Sequence, residues 1–133
     1  MSPRPRAVAH LRLRLSDDLS IGPGKARLLE AIAETGSIAA AGRSLAMSYK
    51  RAWSLVEEMN RAFAEPLVAS ARGGSSGGGA SLTSTGRLVA ASYRRVEERA
   101  EAAVAEEIST LRALLAPQDS PLEEAGDEAE EEK

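Results

Sequence analysis

The sequence has no cysteine, so disulfides, thiol chemistry and Cys-type zinc sites are all excluded. It has one histidine, His10, so no histidine cluster exists to hold a metal. Only 3% of residues are aromatic, although 43% are hydrophobic. The core is therefore small and rich in Ala and Leu, and a small core gains stability by dimerising. No apolar run is long enough to span a membrane. The N-terminus MSPRPRAVAHLRLRL is charged throughout and lacks the apolar stretch of a secretion signal. These absences predict a cytoplasmic protein with no membrane partner and no cofactor. A catalytic nucleophile–base pair cannot be assembled from a lone histidine and no cysteine, which excludes the commonest enzyme chemistries.

Charge is abundant, and it is divided unevenly. The 133 residues carry a net charge of −3. Residues 1–95 hold 14 Lys/Arg against 7 Asp/Glu, whereas residues 96–133 hold 3 against 13. A basic body points to a polyanionic partner, with an unevenly charged solvated surface as the alternative.

Residues 1–8 carry no pattern and are read as a disordered N-terminus. HLRLRLS, 10–16, alternates in the period of a half-buried strand, with Leu11, Leu13 and Leu15 on one face. Arg12 and Arg14 form its wet face, and His10 is an ordinary strand or surface residue. Asp17 to Gly22 reads as a turn. Pro23 suits a first helical turn, Leu28, Leu29, Ile32 and Ala33 share a helical face, and Gly36 ends that helix. Ser37 caps a second short helix, IAAAGRSLA, whose small residues let a neighbouring helix approach closely. Ser48 caps a third, YKRAWSLVEEMNRAF, with Ala52, Val56, Met59 and Phe63 on its inner face and Pro66 beyond its end. LVASAR and SLT read as short strands on either side of the octet GGSSGGGA. From Ser84 or Thr85 a single helix runs to about Leu115, roughly 45 Å long at 1.5 Å per residue. QDSPLEEAGDEAEEEK, in 117–133, has the composition of a disordered acidic tail.

The pattern thus predicts a mainly α fold with a small β-hairpin: a winged helix-turn-helix domain over 9–84, then a long dimerisation helix over 85–116. The glycine octet lacks the Lys and Ser/Thr of a phosphate-binding P-loop, and no second core follows it, which argues against a linker. It reads as a hairpin tip whose backbone N–H groups approach a phosphate surface closely, aided by Arg72 at the base and by Ser75 and Ser76.

Several motifs resemble a known family. GSIAAAGRSLAMSYKRAWSLVEEMN, followed by PLVASARGGSSGGGASLTSTGR, closely resembles the N-terminal DNA-binding domain of ModE-type regulators, molybdate-responsive winged helix-turn-helix proteins. The specific pieces are SYKRAW at 48–53, MN at 59–60, PLV at 66–68 and the glycine-rich run ending at Gly86, over about residues 10–115. A weaker similarity reaches LysR-type regulators, which share such a domain and a dimerising linker helix. The C-terminal oxyanion-binding domains of the ModE type have no counterpart here. The resemblance therefore implies a stand-alone DNA-binding half, with oxyanion sensing left to a separate partner if it occurs.

In a helix-turn-helix the N-terminal part of the second helix enters the major groove. That places Ser48, Tyr49, Lys50, Arg51 and Ser54 nearest the DNA, with Lys50 and Arg51 able to donate to guanine or to phosphate. Glu57 and Glu58 come later, where the duplex curves away. Ser37 either binds phosphate or is a plain cap, and Arg43 faces the sugar-phosphate backbone. Trp53 packs against the first two helices rather than stacking on bases. Val96, Ala100, Val104, Ile108, Leu111 and Leu115 form a stripe that two copies of the chain would bury between them. The expected function is a homodimeric, sequence-specific transcriptional regulator bound to double-stranded DNA. The alternative is an interaction module whose acidic tail docks on a basic partner or masks its own DNA face.

Overall fold

The structure, a computed structural model, describes residues 11–71 and 79–117. The described residues up to Glu97 form one compact unit, and those from Glu98 onward belong to a second.

The first unit opens with β1 (Leu13–Arg14) and β2 (Ser20–Ile21), paired antiparallel with Leu13 opposite Ile21. This differs from the sequence expectation in two ways. The strand is only two residues long, and the expected turn at 17–22 contains its partner. The cause is burial: Leu19 and Ile21 enter the core, while Leu15, expected on the inner face, is 54% exposed. Leu15 and Ser16 both donate their N–H groups to the Leu19 carbonyl, which turns the chain and carries Leu15 outward.

Helix α1 (Pro23–Thr35) starts with proline at the position where a missing N–H costs nothing. Its Leu28, Leu29 and Ile32 are fully buried, whereas Ala33, expected beside them, is exposed. It ends at Gly36 in the left-handed conformation, φ 75°. Helices α2 (Ile38–Ser44) and α3 (Tyr49–Ala62) follow and pack in sequence, α1 on α2 and α2 on α3. The inner face of α3 is Ala52, Leu55, Val56 and Met59, all buried, with Phe63 packed at the edge of the core.

β3 (Val68–Ala71) and β4 (Gly79–Leu82) pair antiparallel, from Val68 opposite Leu82 to Ala71 opposite Gly79. The Ala80 N–H donates to the Gly36 carbonyl at 2.9 Å, fastening this hairpin to the end of α1. The chain between the strands, with the expected phosphate contacts Arg72, Ser75 and Ser76, lies outside the described residues, as do His10, the N-terminal residues and the acidic tail.

Thr83 starts α4 (Ser84–Ala103): its Oγ1 accepts from the Gly86 N–H at 2.9 Å and donates to the Pro66 carbonyl at 2.7 Å. Gly86 faces the Leu67 backbone so closely that a Cβ there would overlap the Leu67 carbonyl oxygen. Only glycine lets the first turn of α4 lie against the β3 end. Ala90 and Tyr93 then enter the core.

The helix expected to run unbroken to Leu115 is two: α4 and α5 (Ala105–Ala113). Val104 separates them with φ −109° and ψ 11°. Hydrogen bonds from Val104 to Ala100 and from Ile108 to Val104 persist across the break, so it is a local flattening at one β-branched residue. Neither glycine nor proline marks it in the sequence.

Candidate nucleic-acid interface

The interface candidate is the outer edge of α2 and α3. Ser37 accepts from the Ala40 N–H at 3.0 Å and is half-buried, so the structure gives it the cap role. α2 ends with Ala46 in a left-handed conformation, φ 57°, and the Met47 N–H returns to the Gly42 carbonyl at 2.9 Å. That closes the turn within four residues. At Gly42 an added Cβ would lie 3.2 Å from the Ala52 Cβ, so the two helices meet there almost backbone to backbone. The turn fixes where α3 begins, and Ser48 caps it by accepting from the Arg51 N–H at 3.0 Å.

With Leu55, Val56 and Met59 committed to the core, the first two turns of α3 turn Tyr49, Lys50, Arg51 and Ser54 outward, all exposed. Arg43 at the end of α2 is exposed as well. Residues 43–56 contain three cations and no carboxylate. Glu57 is exposed farther along, and Glu58 pairs with Lys25 of α1 at 3.0 Å. Trp53 packs against the core and meets Tyr49 edge-on, the ring centroids 6.3 Å apart. Its ring is thereby used inside the fold and props the exposed Tyr49.

Sequence reading missed the residues that brace this edge. Asn60 Oδ1 accepts from the Leu67 and Val68 N–H groups at 2.8 and 3.1 Å, while Nδ2 donates to the Val68 carbonyl. The asparagine thus locks the hairpin to the end of α3. Arg94 of α4 forms a two-pronged pair with Glu30, both contacts at 2.7 Å, and a third contact with Glu97 at 2.6 Å. The paired carboxylates hold the Arg94 guanidinium still more firmly in its charged form, chiefly through Glu30, against the opposing effect of burial. Beside it the Tyr93 hydroxyl donates to the Leu11 carbonyl; burial first, and then Glu97, push its pKa above the usual tyrosine value. Arg94–Glu30 and Tyr93–Leu11 join residues 64 and 82 positions apart, which no local spacing signals, whereas Arg94–Glu97 is a helical i,i+3 pair.

Of the expected dimer stripe, Val96 is 37% exposed, Ala100, Val104 and Ile108 are half-buried, and Leu111 and Leu115 are largely exposed. Leu114, outside the stripe, is more exposed than any of them. Val96 also joins Leu15, Phe63 and Leu88 around an apolar cavity of about 300 Å³. Among the described residues no helix is long and apolar enough to cross a membrane, and no cluster of three metal-ligating side chains occurs.

Three short helices, the second and third joined by a tight turn, followed by an antiparallel hairpin, define a winged helix-turn-helix domain. Residues 24–87 match the bacterial regulatory helix-turn-helix protein, lysR family. The chain is 41% identical over 90 residues to the molybdenum-pterin-binding protein MopA of Rhodobacter capsulatus, covering 68% of this chain and 34% of that one. It is 41% identical over 92 residues to the molybdenum transport protein ModE of Azotobacter vinelandii, covering 69% and 34%. With the DNA-binding transcriptional dual regulator ModE of Escherichia coli it shares 40% identity over 83 residues, covering 62% and 32%. Residues 24–87 carry a helix-turn-helix domain of the lysR type, and roughly two thirds of the chain is similar to ModE. It spans about a third of the length of the curated relatives it matches.

Proposed function

We propose that the chain is a sequence-specific transcriptional regulator that binds double-stranded DNA as a homodimer in the cytoplasm, in molybdenum-related gene control. The observation that carries this reading is the first two turns of α3: Tyr49, Lys50, Arg51 and Ser54 exposed together, with no carboxylate before Glu57. That edge can enter a major groove, where Lys50 and Arg51 donate to guanine or phosphate. Arg72, Ser75 and Ser76, which lie between β3 and β4 in the sequence, would add phosphate contacts. The apolar residues from Val96 to Leu115 supply the dimer contact, and a dimer presents two such edges to a palindromic site. The link to molybdenum rests on the relatives' names, and an oxyanion signal would come from a separate partner.

The test is recovery of genomic fragments by the purified full chain, with and without molybdate, with its mass in solution measured in parallel. A recurrent inverted repeat bound by a dimer is the expected result. Uniform recovery of all fragments, or a monomer, would overturn it.

A further inference from the structure

A second basic feature lies beside the α3 edge. Arg12, Lys25 and Arg51 line one cavity of about 330 Å³, floored by the turn that leads into α1. Lys25 is already balanced: its Nζ donates to Glu58 at 3.0 Å and to the Ser20 carbonyl at 2.8 Å. Arg12 and Arg51 have no carboxylate partner among the described residues. Two guanidinium groups without a carboxylate partner among the described residues therefore share one concavity, and none of the described residues lining it is acidic. Like charges in a common recess repel each other and focus a positive potential, a cost that a bound anion removes. Gly24 also lines the cavity, and an added Cβ there would meet nothing within 4 Å, so a side chain can be placed at that position without a clash.

We propose that this cavity is a phosphate seat, which takes a backbone phosphodiester of the duplex lying against α3. The proposal rests on the DNA-binding reading, because Arg51 belongs both to the cavity and to the first turn of α3. A duplex along that edge carries its backbone across the cavity mouth. Planar guanidinium groups suit phosphate oxygens in their fork geometry. Arg12, which immediately precedes β1, thereby becomes a DNA contact that lies outside the helix-turn-helix.

The test titrates the full chain against a random-sequence duplex over a salt series, comparing wild type with Arg12→Ala, Arg14→Ala and Gly24→Asp. Arg14 is exposed and does not line the cavity. Arg12→Ala is expected to reduce the slope of log affinity on log salt by about 0.9, the value of one phosphate contact. Gly24→Asp adds a carboxylate at a residue that lines the cavity, yet an acidic residue in a helical first turn is favourable, so its melting temperature should hold or rise while binding falls more than tenfold. Equal effects of Arg12→Ala and Arg14→Ala, or undiminished binding by Gly24→Asp, would overturn the seat while leaving the DNA reading intact. Should wild type bind no duplex at all, the DNA reading fails. The seat then stands on inorganic phosphate raising the melting temperature of wild type but not of Gly24→Asp, and falls without that shift.

Discussion

Asn60 and Val68 exchange hydrogen bonds in both directions, the side-chain amide donating to the Val68 carbonyl and accepting from its N–H, each at 3.1 Å. One side chain thereby completes the β3 backbone edge in place of another strand, and ties the hairpin to α3. Asn60→Ala leaves part-buried backbone groups without partners, at a cost of about 1–3 kcal/mol. Chemical denaturation should show that loss, and amide exchange should accelerate first at Leu67 and Val68.

Gly86 against Leu67 is a steric counterpart of the same joint. Gly86→Ala forces a methyl into the Leu67 carbonyl, which is backbone and cannot rotate away. The expected loss is about 3 kcal/mol or more. Gly24→Ala is the control, since its methyl enters open space. Thermal melts of the two variants should therefore diverge, with Gly24→Ala close to wild type.

Ala46 stands in the left-handed region that disfavours any side chain with a Cβ. The turn between α2 and α3 needs that conformation to return the Met47 N–H to Gly42. Ala46→Gly relieves the strain, and the offsetting entropy of the unfolded chain leaves a gain of about 0.5–1 kcal/mol. A rise in melting temperature of a few degrees with unchanged DNA affinity is the expected outcome.

These joints also mark what the sequence could disclose. The caps Ser37, Ser48 and Gly36, and the inner face of α3, follow from local spacing, so the helix-turn-helix and its outward residues were legible. Leu19 and Ile21 were not: a two-residue strand is too short to show a period, and its burial depends on helices yet to come. Val104 interrupts a run with strong helix formers on both sides, so propensity carried the expectation past it. Lys25–Glu58 and Arg94–Glu30 pair residues 33 and 64 positions apart, a separation at which only the fold decides which opposite charges meet.

Tyr93 gives the domain a pH dependence at the alkaline end. Its folded-state pKa is raised above the ordinary value of 10.0, by burial and then by Glu97. The folded chain holds the phenolic proton more tightly than the unfolded chain does. The associated stability is therefore complete below about pH 10 and is lost as pH rises through the folded value. Tyr93→Phe should flatten that alkaline fall and, by losing the bond to the Leu11 carbonyl, cost about 1 kcal/mol at neutral pH. Urea unfolding between neutral and alkaline pH measures both.

Lys50 and Arg51 are neighbours in sequence, but the fold gives them different surroundings. Arg51 lines the recess shared with Arg12, whereas Lys50 does not. If the recess holds a phosphate, Arg51 is occupied by the backbone and base reading falls to Lys50. Arg51→Ala should then weaken operator and random duplex alike and lower the salt slope by about 0.9. Lys50→Ala should cost about 1–3 kcal/mol on the operator and much less on random sequence, relaxing preference at one position. Affinities of both variants on both duplexes, measured at several salt concentrations, separate the roles. The reverse pattern would make Arg51 the base reader and would leave in the recess only Arg12 and a Lys25 already paired with Glu58, too little charge to seat a phosphodiester.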